Sequence, residues 1–294
     1  MSYKSGFVSV IGRPNVGKST LINNLIGQKV VITSPRPQTT RNSVRGIYTR
    51  PEGQIVFVDT PGIHKARNKL DNYMLEKAYE SLEDIDVIIF MVDGNYSFGK
   101  GDEFIYNQIK GVRVPVIVAM NKIDRINKEI VMERQKNYEE RTGFPVIPIS
   151  ASRGTNLDTL VEEIFTFLPE GPQYYPEDMV TDQIEQFVVA ELIREKVFIL
   201  TREEVPYGVA VKIEEMKERD NSTMYIRANI YAEKKSHKKI IIGHKGKMIK
   251  KIGRLAREEI EKLLQTKVYL DLWVKIEKDW REKEGLVKRM GYKG

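Results

Sequence analysis

The 294-residue chain has no cysteine. Disulfides, thiolate metal sites and cysteine nucleophiles are therefore excluded, which fits a reducing compartment. Histidine occurs three times, at 64, 237 and 244, without metal-binding spacing. His237 and His244 are expected on the surface. Tryptophan occurs twice, and both Trp273 and Trp280 are expected to pack rather than to stack on a ligand. Long apolar runs are missing as well. Val87–Val92 falls far short of the ~20 residues that span a bilayer. The mostly apolar stretch Phe7–Ile11 comes within a few residues of the N-terminus, so no signal peptide is expected. The expectation is a soluble, intracellular chain of two domains. The first 180 residues also lack an excess of charge, with 22 basic and 22 acidic residues; residues 181–294 hold 26 basic and 19 acidic and so carry the whole net charge of +7. An anionic partner is expected for the C-terminal part alone.

What is present begins with Gly12-Arg13-Pro14-Asn15-Val16-Gly17-Lys18-Ser19, which reads as GxxxxGK[ST]. Phe7–Ile11 suits a buried strand ahead of it, and Ser19-Thr20-Leu21 opens a helical run to Ile26. Glycines at 12 and 17 let the backbone curl until successive N–H groups point inward, and the helix start adds its positive dipole end. Lys18 is expected at the β/γ-phosphates of a nucleotide and the Ser19 hydroxyl on magnesium.

Further along, Pro35 and Pro37 make 30–41 an extended loop. Strands at 43–49 and 54–58 read as a hairpin. Helical spacing covers 71–82, 103–109, 129–140 and 157–168, alternating with strands at 87–92, 114–120 and 144–149. This alternation predicts an α/β fold, a mostly parallel doubly wound sheet with ligands at the carboxyl ends of its strands. Three prolines and a glycine in 169–179 mark a domain boundary. The expected domains are 1–170 and 183–294, with a linker at 171–182. The second reads as α-β-β-α-β: a helix at 183–197, strands at 208–217 and 223–232, a helix at 247–264 and a strand at 267–276.

Three stretches complete a nucleotide site. Asp59-Thr60-Pro61-Gly62 puts a carboxylate where it can hold magnesium through water, and Gly62 can offer its N–H to a γ-phosphate. Asn121-Lys122-Ile123-Asp124 carries the choice of base. Guanine presents two adjacent donors that one carboxylate accepts together, so Asp124 argues for GTP over ATP. Asn121 would brace the loop, Lys122 cover the base, and Ser150-Ala151-Ser152 offer an N–H to the guanine carbonyl. With these motifs the sequence resembles the translation-factor-like small GTPases. That resemblance makes Thr40, ahead of Arg41, the residue that closes over magnesium and γ-phosphate, with Thr39 as the alternative. Ile63 stands where Ras-like GTPases carry a water-orienting glutamine; an isoleucine cannot hydrogen-bond water, so hydrolysis is expected to be slow or assisted. Relatives with asparagine at the place of Asn15 use potassium, which the resemblance carries to Asn15 beside Lys18, Thr40 and Gly62 as the catalytic set.

Gly243-His244-Lys245-Gly246 matches the GXXG loop that clamps about four nucleotides in KH domains. Ile242 leads in, and Lys247, Lys250 and Lys251 follow. Between 234 and 257 stand ten Lys/Arg and no Asp or Glu, a run that neutralises phosphates. A solvated helix face and an anionic membrane surface are the other readings of it. GRPNVGKSTLINNLIG, QTTR, DTPGIH, NKID, SAS and IIGHKGKMIKKIG together resemble the bacterial Era family along nearly the whole chain. The resemblance implies a P-loop GTPase domain followed by a smaller α+β KH domain of type II. It also implies binding of GTP, GDP and Mg2+, and recognition of the 3′ end of 16S rRNA on the 30S subunit rather than DNA. Cytoplasmic assembly of the small ribosomal subunit, with peripheral attachment to the inner face of the membrane, follows from it too. A non-catalytic RNA chaperone using GTP as a structural ligand and a membrane-surface GTPase are the alternatives.

Overall fold

The computed structural model describes residues 2–34, 36, 39–63, 66–219 and 222–292. Pro35, Pro37 and Gln38 of the extended loop, His64 after DTPGI, Lys65, and the turn residues Asp220 and Asn221 lie outside these. The chain forms two units, residues 1–65 with 74–182 and residues 66–73 with 183–294.

In the first unit, β1 (Lys4–Gly12) leads to α1 (Lys18–Ile26), and β2 (Val44–Arg50) turns back into β3 (Gly53–Asp59). Then come α2 (Lys69–Glu80), whose residues up to Tyr73 are counted with the second unit, and β4 (Val87–Asp93), α3 (Lys100–Ile109), β5 (Val116–Asn121), α4 (Lys128–Thr142), β6 (Val146–Pro148) and α5 (Leu157–Phe167). The strands order as β2-β3-β1-β4-β5-β6. Only β2 runs antiparallel, as the hairpin partner of β3; the others are parallel. Val87–Val92 is wholly buried, as a continuous apolar run between two parallel neighbours requires. Helix ends follow local chemistry. The Asn127 side chain accepts from the Ile130 N–H at 2.9 Å to start α4, and Gly27 and Gly143 close α1 and α4 in the left-handed conformation.

The proline-rich stretch after α5 is tied down. Gln54 Oε1 accepts from the N–H groups of Tyr174 and Tyr175 at 3.0 Å each. Ile47 N–H donates to Val180 O at 2.9 Å, Thr181 Oγ1 to Arg45 O at 2.7 Å, and Arg45 pairs with Asp182. These residues run along the outer edge of β2.

The second unit contains α6 (Glu185–Leu200), β7 (Val209–Arg219), β8 (Thr223–Ala232), α7 (Lys235–Ile242), α8 (Lys247–Leu264), β9 (Lys267–Ile276) and α9 (Glu284–Arg289). Its sheet runs β7-β8-β9, antiparallel then parallel. Val189, Ile193, Ile226, Ile230, Ile252 and Ile260 centre its core. Two helices differ from the sequence expectation. In α7, Lys-Ser-His-Lys-Lys-Ile-Ile-Ile is too short and basic for its period to show, and α9 lies beyond the last expected strand. His237 is 2% exposed, contrary to expectation, because it stands four residues from buried Ile241 on the inner side of α7. Trp280 is buried, donating to Gly208 O at 3.0 Å and stacked on Tyr292. Trp273 corrects the other expectation: it is 57% exposed, on the outward side of β9.

Candidate functional site

A cleft in the first unit is lined by Asn15, Lys18, Ser19, Thr33, Thr40 and Gly62, among others. The four residues expected to be catalytic, Asn15, Lys18, Thr40 and Gly62, thus meet. Gly17 carries φ +111, and a Cβ there would meet Asn121 Nδ2 at 2.3 Å, so only glycine lets the two loops approach. Pro14 lies so close to Gly62 that a Cβ on the latter would sit 2.9 Å from Pro14 backbone atoms. Lys18 is buried, with Nζ donating to the carbonyls of Gly12 and Arg13 at 3.2 Å each. Burial pushes its pKa down to about 8, against the pull of Asp59.

Three oxygens converge at the cleft floor. Ser19 Oγ donates to Asp59 Oδ2 at 2.8 Å and Thr40 Oγ1 to the same atom at 3.0 Å; the two hydroxyls are 3.1 Å apart. Among the described residues Asp59 Oδ1 is buried without a hydrogen-bond partner, and burial holds the carboxyl above the usual carboxylate range, opposed by Lys18. A buried orphan carboxylate oxygen beside two hydroxyls is an oxygen donor set fit for a hard cation such as magnesium. Thr39 instead turns its hydroxyl to Arg36 O at 2.8 Å. Ile63 packs in the core with Ile11, Ile88 and Ile105, so its side chain orients no water.

The loops after β5 and β6 are tied to the phosphate loop by side-chain hydrogen bonds. Asn121 Nδ2 donates to Val16 O at 2.7 Å, and its Oδ1 accepts from Ala151 N–H at 2.8 Å. One side chain therefore binds the phosphate loop to both base loops. Lys122, at φ +70, donates to Asn15 O at 2.8 Å and to Asp93 Oδ2 at 2.7 Å. Asp124 Oδ1 accepts from Ser150 Oγ at 2.6 Å, which with smaller contributions keeps its carboxyl below the usual range. An ionised carboxylate is the acceptor that paired guanine donors need. Ser152 and Thr20 line an adjoining cleft with Asn24.

Two residues escaped the sequence reading. Asp93 aligns Lys122, and its place at the carboxyl end of β4 was the signal. Asp102, almost fully buried, pairs with Arg13 Nε at 2.9 Å and accepts from Gly99 N–H, anchoring the phosphate loop to α3. A position in the first turn of α3 gave no hint of it.

In the second unit, α7 ends at Ile242 and α8 starts at Lys247, with Gly243–Gly246 between them. Gly243 has φ +72, and a Cβ would meet Met248 Cβ at 2.6 Å. His244, Lys245, Lys247, Lys250 and Lys251 are exposed around the turn, while Ile242 packs against the core.

Residues 7–122 match the family described as 50S ribosome-binding GTPase, and 204–281 the KH domain. GTPase Era of Alkaliphilus metalliredigens is 51% identical over 294 residues, covering 99% of this chain and 100% of that protein. The chain belongs to the Era family. GTPase Era of Clostridium botulinum strain Hall is likewise 51% identical, over 99% of both chains. A crystal structure of Era in complex with MgGDPNP and nucleotides 1506–1542 of 16S ribosomal RNA is 45% identical, covers 99% of both chains and superposes with a TM-score of 0.96. Aquifex aeolicus Era, bound to GDP and aluminium fluoride as a single-residue variant, gives the same identity and TM-score over 98% of this chain and 99% of its own. As an Era protein the chain is a GTPase, with a P-loop α/β domain followed by a KH domain, as its motifs implied.

Proposed function

We propose that the chain is a GTP-driven switch that binds the single-stranded 3′ end of 16S rRNA and acts in the cytoplasm in small-subunit assembly. The observation that carries the nucleotide half is the pair of hydrogen bonds to buried Asp59 from Ser19 and Thr40, two residues that line one cleft with Lys18. Lys18 and the N–H groups of residues 15–20 hold the phosphates. Ser19, Thr40 and Asp59 hold Mg2+, which supplies charge neutralisation at the β/γ bridge. Asp124 reads guanine, aided by Asn121, Lys122 and 150–152. Because Ile63 is buried in the core, the attacking water relies on backbone groups at Thr40 and Gly62; Asn15 would hold a potassium ion, which would supply positive charge to the phosphates. Domains at 1–170 and 183–294, linked by 171–182, divide the labour. The loop Gly243–Gly246, with Ile242, Lys247, Lys250 and Lys251, clamps the RNA backbone; the relative solved with 16S RNA supports this reading.

Asp124→Asn tests the base assignment. GDP affinity should fall about 100-fold or more and xanthosine diphosphate should bind instead, since two charge-assisted hydrogen bonds are lost; unchanged GDP binding refutes it. Equal GTP turnover in potassium and sodium buffers would remove the potassium role. The exposed basic run at 234–257 supports a second reading, attachment to an anionic membrane; flotation with phosphatidylserine vesicles, with and without competing RNA, separates the two.

A further inference from the structure

We propose that the open face of the β7-β8-β9 sheet is a second surface for single-stranded RNA, distinct from the Gly243–Gly246 loop. The proposal rests on the RNA-binding reading above, but not on that loop.

Helices cover one side of this sheet. The aliphatic residues of β9, Val268, Leu270, Leu272 and Val274, all belong to the core on that side. Alternation then turns Tyr269, Asp271 and Trp273 to the other side, where they lie in register with Tyr225, Arg227 and Asn229 of β8. Tyr269 and Trp273 are 56% and 57% exposed. At 3.3 Å per residue they stand about 13 Å apart along the strand, room enough to seat two bases independently.

The face is also organised in advance. Tyr225 and Tyr269 stack at 5.9 Å with 19° between planes, and the Arg219 guanidinium lies 4.2 Å and 5.2 Å from the two ring centroids. Trp273 donates its indole N–H to Asp271 Oδ2 at 3.0 Å, and Arg227 approaches the same oxygen at 3.5 Å. The carboxylates are thus engaged in holding neighbours: Glu215 by Lys217, Glu214 by Asn229. Lys217, Arg219, Arg227, Lys267 and Lys275 outnumber the three acids. A platform of exposed rings flanked by cations accepts bases of any sequence by stacking and their phosphates by charge. A protein partner would instead ask for the aliphatic surface that this face lacks.

The two tryptophans make the test direct, because Trp273 is exposed and Trp280 is buried. A twelve-residue oligouridylate is titrated into the full chain while tryptophan emission is followed. Emission should be quenched, and quenching should persist in Gly246→Asp, in which the loop clamp is broken. It should vanish in Trp273→Phe and weaken with added salt. Tyr269→Ala should lower the affinity seen by Gly246→Asp about 5-fold or more, the lower range for one lost stacking ring. GTP binding and far-UV circular dichroism verify that each variant is folded. RNA that binds without changing Trp273 emission, or equal affinity with and without Tyr269, overturns the proposal and leaves the face to a protein partner. The loop reading fails separately, if Gly246→Asp binds as tightly as the unmodified chain.

Discussion

Removing the Asn121 side chain should loosen the whole nucleotide site before any ligand is considered. Asn121 is 3% exposed. Asn121→Ala leaves Val16 O and Ala151 N–H, both on buried residues, without their partners. Each orphaned group costs about 1–3 kcal/mol, so the two together cost about 2–6 kcal/mol. The loss falls on the contact between the phosphate loop and the ends of β5 and β6. Hydrogen–deuterium exchange reads such local opening directly. Peptides covering 8–20, 116–121 and 146–151 of the nucleotide-free chain should exchange about 30-fold to 20,000-fold faster, at about 1.4 kcal/mol per factor of ten. Asn127→Ala is the scale marker: it removes one helix cap worth about 1 kcal/mol, and its effect should stay within the start of α4. Less than fivefold acceleration in all three peptides of Asn121→Ala would refute the account of Asn121 as a three-way brace.

Nucleotide affinity should be bell-shaped in pH. Phosphates restore the charge that burial takes from Lys18, so binding takes up a proton above about pH 8, and affinity falls there by up to tenfold per pH unit. On the acid side Asp59, raised by burial, must give up its proton to hold the metal, so affinity falls as pH drops through its raised pKa; calorimetry in buffers of differing ionisation enthalpy would show the reversal of proton flow. Arg13→Ala should cost about 1–3 kcal/mol at pH 7, discounted because Arg13 is one-third exposed. The Asp102 carboxyl, already raised by burial, then rises further. The folded form binds the proton more tightly than the unfolded one, so the loss should shrink at pH 5, as exchange in α3 would reveal. Gly62→Ala forces Pro14 and Gly62 apart and should slow single-turnover GTP hydrolysis by about 100-fold, while GDP, lacking the γ-phosphate, should bind almost as before.

The first unit was legible because its strands are continuous apolar runs and its motifs are local. The phosphate loop needs contiguous residues, so its spacing survives in one dimension. Thr40 and Asp59 are nineteen positions apart, and it took family resemblance to bring them together. Arg13–Asp102 and Lys122–Asp93 were hidden because each pairs groups from different strand–helix units. In the second unit the signal for Trp273 was present. Val268-Tyr269-Leu270-Asp271-Leu272-Trp273-Val274 alternates cleanly, and following that period would have turned the tryptophan outward. His237 was misplaced for the converse reason: in a helix of eight residues, a single i,i+4 pair is too little pattern to reveal an inner face.

The strap along β2 has a bearing on how this unit behaves in a crowd of its own copies. A six-stranded sheet has two rims, and an unguarded rim invites another chain to continue the ladder. One rim here is a strand of three residues ending in Pro148, which has no N–H to offer. Along the other, Val180 and Thr181 already occupy Ile47 N–H and Arg45 O. Self-association of this unit by main-chain pairing is thereby obstructed at both rims, and a prolonged wait in the nucleotide-free state need not end in aggregation.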